Sequence, residues 1–425
     1  MNAYLIFVLA LLVFDFVLER VVESLNLRRL SPEIPEEFRG IYDAEKYAKS
    51  QNYLREGTRF ELLQSSVMLP LTVGFILLGG FRFVDSLARA AGWGMIPTGL
   101  LFAAILGAIS MAVGLPFKIY DTFVIEERYG FNKTTPATFI GDLLKELLLG
   151  AILGGAVLAG VLWFFAHAGP LAWLYAWGAL AVFQLVLMFI APVVILPLFN
   201  KFTPLEDGEL RLAIEKYSAS QSVALSGIFK IDGSKRSTKS NAYFTGFGKT
   251  KRIALFDTLI EKHTTEELVG VLAHEVGHAK LGHIKKFIVV SMVSSLLMFW
   301  ILSRFIAAPG LYEAFKVPFA PVHGQLPIYA GLLFFGFLFS PISMVLGLLG
   351  NILSRKHEYE ADAFAAKTTN TADTMISALK KLSVDNLSNL TPHPLKVFLE
   401  YSHPPVLARI AALRRTRQCP HAKNS

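Results

Sequence analysis

The sequence predicts an all-α polytopic membrane protein with seven transmembrane helices and one small β-sheet. Three observations carry that reading. Of 425 residues, 53% are hydrophobic and only 17% charged, and the mean hydropathy is +0.47; soluble domains carry about a quarter charged residues. Seven stretches are apolar enough to cross a bilayer as helices, which takes about 20 residues each. Finally, Lys and Arg alternate between successive loops, the pattern that orients a polytopic chain.

The seven spans are 4–18, 66–81, 96–117, 147–168, 171–198, 287–307 and 326–350. The first is short, holds Asp15 and runs on into Glu19 and Arg20. No basic segment precedes it and no small-residue cleavage site follows, so it reads as an uncleaved helix rather than a signal peptide; a buried amphipathic helix is the alternative. Loop one (19–65) carries Arg20, Arg28, Arg29, Arg39, Lys46, Lys49, Arg55 and Arg59, whereas loop two has only Arg82 and Arg89. Loop three (118–146) carries Lys118, Arg128, Lys133 and Lys145, loop four has no Lys or Arg, loop five is long and basic, loop six has Arg304 and Lys316, and the tail is basic again. This alternation sets the N-terminus outside and loops one, three and five inside with the tail. The chain therefore divides into a membrane domain (1–200), an inner insertion (201–286), spans six and seven (287–350) and inner C-terminal helices (351–425).

Within loop one, residues 42–49 read as a helix. In loop three, β-branched and aromatic residues from Thr122 run into a Gly130-Phe-Asn turn, and Glu126 with Glu127 reads as a structural pair, since no histidine is near. Asp15, Asp85, Lys145 and Glu146, in or beside spans, suggest a wet interior, because charge in hydrocarbon is costly. The lone Cys419 excludes an intrachain disulfide. A net charge of +8 suits basic loops along an anionic leaflet, and its scatter argues against nucleic acid as a partner.

Loop five holds the chemistry. An amphipathic helix (205–221) precedes strand-like runs at 225–232 and 251–256, with Asn241, Ala242, Tyr243 and Phe244 between them. A small sheet there can take an extended peptide along its edge by backbone hydrogen bonds; a plain hairpin is the alternative. Next, Thr264 or Thr265 caps a helix with Glu266 and Glu267 in its first turn. That helix carries His274, Glu275 and His278, an H-E-x-x-H. Residues four apart share a helix face, so both imidazoles can hold one metal ion, zinc by preference, with Glu275 as general base. A catalytic zinc usually has a third protein ligand. Span seven continues without a break signal to Glu358 and Asp362, again four apart: one carboxylate as ligand, the other accepting the outer N–H of a ligand histidine. A surface acid pair is the alternative. His357 and Glu360 point elsewhere on that helix. His283 lies five residues past His278 on a helix that continues toward span six, and reads as a bystander.

His274-Glu-Val-Gly-His278, Asn351-x-x-Ser-Arg-x-x-Glu-x-x-Ala-Asp362, Asn241-Ala-Tyr-Phe244, and Ser402-His-Pro-Pro405 with Arg409 together resemble the type 1 CAAX prenyl protease family, integral-membrane zinc endopeptidases. The likeness extends to residues 42–47 and 122–132 and so covers most of the chain. It implies seven helices around a water-filled chamber, with a gluzincin-like domain on the cytoplasmic side. It implies one zinc ion per chain on His274, His278 and Glu358, with Glu275 as base and Asp362 orienting a ligand histidine. His403, with Arg409, would stabilise the oxyanion, and the 241–244 edge would align the peptide. The implied partners are the lipid bilayer and a peptide or protein substrate, C-terminally prenylated and losing its last three residues in the family's reaction. A quality-control metalloprotease acting on unprenylated chains remains an alternative, as does a transporter or structural protein with an incidental motif. Compact loops favour a bacterial inner membrane, the endoplasmic reticulum being the eukaryotic counterpart. A monomer is compatible with everything the sequence holds.

Overall fold

Backbone groups in hydrocarbon have no water to bond, so long apolar runs close their hydrogen bonds internally as helices. In a computed structural model that describes residues 2–246 and 251–418, six helices are long and apolar enough to cross a membrane. They are Ala44–Leu77, Met95–Glu126, Pro136–His167, Gly169–Phe199, His283–Phe305 and Ile328–Thr368, and they match the second to seventh expected spans. The first expected span lies in the helix Ala3–Arg28. Asp15, Glu19 and Arg20 interrupt its apolar run, and it is not among the six. Cys419 lies outside the described residues.

Several helices outrun their apolar stretches. Ala44–Leu77 joins the loop-one helix and span two in one piece. Ile328–Thr368 has 41 residues, about 60 Å at 1.5 Å per residue, twice the roughly 30 Å hydrocarbon core. Loop three departs from expectation: residues 121–126 continue the preceding helix instead of extending, because Ile125 is drawn into a fully buried position. The turn at Gly130 stands, with φ +82°.

Side-chain bonds gather the loops at two ends. At one end, Asn2 donates to the Gly310 carbonyl at 2.7 Å, Lys316 to Leu77 at 2.6 Å, and Arg89 to Ala320 at 2.9 Å. At the other, Glu23 of the first helix pairs with Lys396, Glu37 with Lys380 at 2.5 Å, and Asp142 with Arg236 through two bonds of 2.7 and 2.9 Å. Loops one, three and five and the tail thus meet in one body, opposite loops two and six, as the charge alternation requires. Packed cores sit at both ends: Phe81, Phe102, Phe315, Tyr329 and Phe334 at the first, Leu255, Leu272, Ala273 and Val276 at the second. Along the apolar windows of the six spans, by contrast, between none and 11% of residues are buried.

The ionisable residues near the spans have protein partners. Asp85 is buried, bonded by Tyr329 Oη at 2.6 Å and paired with Arg89 at 2.8 Å. Glu146 pairs with Lys118 at 2.8 Å, Lys145 donates to the Leu198 carbonyl at 2.8 Å, and Ser340 donates to Asp15 at 3.2 Å. Asp85 therefore needs no wet interior to explain it. Glu126 accepts from Tyr53 at 2.5 Å and Lys239 at 3.1 Å, and Glu127 from Asn132 at 3.1 Å, so this pair is structural.

Among the described residues four strands form one sheet, in the order β1 (Phe202–Pro204), β2 (Gly227–Ile231), β4 (Arg252–Phe256) and β3 (Ala242–Thr245). β2 and β4 are parallel; β1 and β3 flank them antiparallel. β3 is an edge strand, and Ala242 and Phe244 pack on the core that includes Leu272 and Val276 of the motif helix.

That helix, Thr265–Lys280, starts as expected. Thr264 Oγ accepts from the Glu267 amide while the Glu267 carboxylate accepts from the Thr264 amide, a reciprocal capping box. Glu267 also accepts from Ser377 at 2.6 Å and Lys381 at 2.8 Å. Burial alone would raise its carboxyl, but Lys381, Ser377 and the Thr264 amide outweigh burial and hold it below the ordinary 4.5. Glu267→Ala is expected to cost about 1–3 kcal/mol. A depressed carboxylate stabilises the fold above its unfolded pKa and loses that contribution as pH falls through its folded value. The gap in unfolding midpoint between wild type and variant should therefore narrow below pH 4.5; a gap indifferent to pH would remove the carboxylate's charge from the account.

Candidate active site

The motif helix and the long helix Ile328–Thr368 lie against each other so closely that a Cβ at Gly277 would stand 3.2 Å from Ala361 Cα. Across this seam His274 and His278 face Glu358. Their Nε2 atoms are 3.1 Å apart. His278 Nε2 lies 3.2 Å from Glu358 Oε1, and His274 Nε2 lies 3.4 Å from Oε2. Tetrahedral zinc with bonds of about 2 Å places its ligand atoms about 3.3 Å apart, so these residues fit one metal ion. Two further observations agree. Glu358 Oε2 is buried with no aligned hydrogen bond. Burial would depress the His274 imidazole, but Asp362 and Glu358 outweigh it and push it up to about 9: the site demands positive charge, which a dication supplies while releasing that proton.

His274 is held from behind. Its Nδ1 lies 2.9 Å from Asp362 Oδ1, which fixes the proton on Nδ1 and bares Nε2 toward the metal position. Asp362, nearly fully buried, is gripped by Arg409 through bonds of 2.6 and 2.8 Å, and Arg409 Nη1 lies 3.2 Å from Glu358 Oε2. The oxyanion role expected of Arg409 does not match this placement: the guanidinium is buried and already occupied by two carboxylates. Glu275 is half-buried on the motif helix; burial raises its carboxyl, partly offset by His274 and His278.

His403 reaches the same site from the tail. Its ring is largely exposed, its Nε2 lies 3.4 Å from Glu358 Oε1, and its Nδ1 bonds Ser402 Oγ at 2.9 Å. Two motif residues that sequence reasoning gave no role hold this segment. Asn351 donates to the Leu399 carbonyl at 2.9 Å, and Arg355 to those of Val397 and Tyr401 at 3.0 and 2.5 Å. Their spacing of four, with Glu358 three further on, is the signal that was available. Asn241, Ala242, Tyr243 and Phe244 fall at and along the β3 edge, beside the motif helix rather than among the donor atoms.

The expectation for His283 is overturned. The motif helix ends at Lys280, Gly282 turns the chain at φ +69°, and a new helix starts at His283. That turn brings His283 Nδ1 to 3.0 Å from His278 Nδ1, with His283 Nε2 2.9 Å from Glu360 Oε2. His357, expected to point elsewhere, stacks on His283 at 3.9 Å.

Membrane-length helices joined to a buried His–His–Glu donor set with an adjacent carboxylate define a class, the membrane-embedded metalloendopeptidases. Comparison with known proteins carries this to a family. Residues 23–201 match the CAAX prenyl protease N-terminal model of five membrane helices, and residues 204–417 match peptidase family M48. The chain is 36% identical to a CAAX prenyl protease 1 homolog of Oryza sativa subsp. japonica, over 96% of this chain and 97% of that one. It is 35% identical to CAAX prenyl protease 1 of Saccharomyces cerevisiae, over 93% and 90%. It is also similar to the crystal structure of S. mikatae Ste24p, with TM-score 0.92, 34% identity and coverage of 97% and 99%. The chain belongs to the CAAX prenyl protease family within peptidase family M48.

Proposed function

We propose that this metalloprotease works with one zinc ion per chain, held by His274, His278 and Glu358, and removes the C-terminal tripeptide of prenylated proteins at the cytoplasmic face of its membrane. The carrying observation is the convergence of two imidazole nitrogens and one carboxylate at 3.1 to 3.4 Å, the imidazoles on a helix that also carries Glu275 and packs beside the β3 strand. When bound, zinc polarises the scissile carbonyl and acidifies the attacking water. Glu275 takes the water's proton and passes it to the leaving amine. His403 Nε2 donates to the developing oxyanion. Asp362, backed by Arg409, keeps the His274 lone pair on target. The β3 edge, from Asn241 through Phe244, receives the substrate as an added antiparallel strand, since an edge offers a row of unpaired backbone groups.

The insertion 201–286 and the segment 351–425 act as one catalytic unit. The spans, the first helix among them, surround a hydrated chamber. Support for the chamber is the near-absence of buried residues along the span windows between two packed ends; a close-packed bundle would bury an inward stripe on every helix. For prenyl specificity the support is identity of 36% over nearly the whole chain with relatives named for that reaction.

The test offers the purified protein one peptide in prenylated and unmodified form, with and without a chelator. Chelator-sensitive release of a tripeptide from the prenylated form alone is the expected result. Equal cleavage of both forms favours the quality-control reading, and cleavage that survives the chelator rejects the metal.

A further inference from the structure

His274 and His278 differ in what holds them. His274 has a carboxylate at its outer nitrogen, locked by Arg409. The outer nitrogen of His278 meets another imidazole, His283, at 3.0 Å, and the far nitrogen of that ring meets Glu360 at 2.9 Å. His283 and His357 are both almost fully buried, stacked at 3.9 Å with planes 7° apart, and Phe287 closes edge-on against His357 at 5.2 Å.

The proton positions follow by elimination. As a ligand atom, His278 Nε2 must be bare, so the neutral ring carries its proton on Nδ1. That N–H donates to His283 Nδ1, which is then bare, and His283 carries its own proton on Nε2. The Nε2–H donates to the Glu360 carboxylate. Each short contact holds one proton, and the only formal charge is on Glu360, the most exposed member of the chain. Three facing groups also admit a different use, a second metal on His283, His357 and Glu360. The stack opposes it: imidazole lone pairs lie in the ring plane, and two nearly parallel rings with centres 3.9 Å apart do not aim them at one ion about 2 Å from each nitrogen.

We propose that His283 and Glu360 are positioning residues for His278, a relay that fixes the tautomer and ring direction of the second histidine ligand while His357 holds the relay's plane. The long helix then serves the metal three times: Glu358 as ligand, Asp362 behind His274, and Glu360 behind His278 through His283. This rests on the reading of His278 as a ligand.

Metal affinity decides it, measured by chelator competition on the full-length protein in detergent, together with the unfolding midpoint of the metal-stripped protein. His283→Phe keeps a planar ring against His357 and removes both hydrogen bonds. It is expected to weaken metal binding about 10- to 100-fold, the usual loss for an outer partner of a ligand histidine, with the stripped protein's midpoint unchanged. Glu360→Leu should weaken binding at least about fivefold, and Glu360→Gln, whose amide oxygen still accepts from Nε2–H, should restore it to within about threefold of wild type. Affinity of His283→Phe within twofold of wild type, while His278→Ala loses the metal, overturns the relay alone. Retention of metal by His278→Ala overturns the ligand reading and the relay with it. Two ions per wild-type chain, one of them lost in His357→Phe, would replace the relay by a second metal site. Should His283→Phe fail to fold, equal affinities for Glu360→Leu and Glu360→Gln overturn the proposal.

Discussion

Glu275→Gln is expected to lose at least about 10³-fold in kcat, within the range a positioned general base supplies, while metal content stays at one ion per chain. Glutamine keeps the size and polarity of the side chain but accepts no proton at neutral pH. Glu275 lies on the same helix as the two histidines, near enough to interact electrostatically with them, without belonging to the donor set of His274, His278 and Glu358, so the substitution separates chemistry from metal binding. Burial raises the Glu275 carboxyl above its ordinary value, in the direction that makes a carboxylate a stronger proton acceptor. Metal analysis of the purified variant beside a single-turnover cleavage assay checks both halves. Wild-type turnover in Glu275→Gln would sink the mechanism; loss of metal would instead give Glu275 a structural part.

Glu358→Ala is expected to abolish stoichiometric metal binding and, with it, activity. Removing the carboxylate leaves two histidines, too few protein ligands for a catalytic zinc, and removes the negative charge that draws a dication to this buried seam. The helix itself should survive. Arg409 keeps both bonds to Asp362, so no charge is left unpaired, and the seam between the two helices still packs through Gly277 and Ala361. Metal content after dialysis against a fixed zinc concentration is the measurement, with far-ultraviolet circular dichroism as the control on folding. A variant that retains one ion per chain removes Glu358 from the ligand set.

Much of this was legible in one dimension, for reasons specific to each element. The motif helix was readable because its start is written locally: a Thr264 cap, Glu267 three residues on, then an apolar face. Glu358 and Asp362 were readable because span seven carries no break signal before them and a four-residue spacing needs only one helix turn. The sheet edge was readable from alternation, although β1, three residues long, is too short to register as a pattern. Residues 121–126 misled because β-branched and aromatic side chains state a local preference that packing of Ile125 overrides.

His283 misled for a sharper reason. On an unbroken helix, five residues amount to roughly 140° of rotation away from His278, and the sequence around Leu281 supports either a continuing helix or a glycine break. A left-handed glycine turns that remote position into a direct contact. Arg409 is the converse case. Its motif was recognised, but charge and spacing do not say which of several nearby acids a guanidinium will grip, and burial beside Asp362 decided it.

By itself, then, the sequence determined that the chain is a membrane protein, which loops share a side, and that two histidines one helix turn apart can face one metal, while the choice of Glu358 as third ligand came from the family resemblance. Those properties depend on composition, local helix periodicity and charge bias, each expressed within a few turns of chain. Only the tertiary structure decided what stands behind each motif histidine, with Asp362 and Arg409 at His274 and His283 and Glu360 at His278. Such contacts depend on angles accumulated across turns and on the crossing of two helices some eighty residues apart in sequence, and a single reversed φ at Gly282 is enough to redirect them.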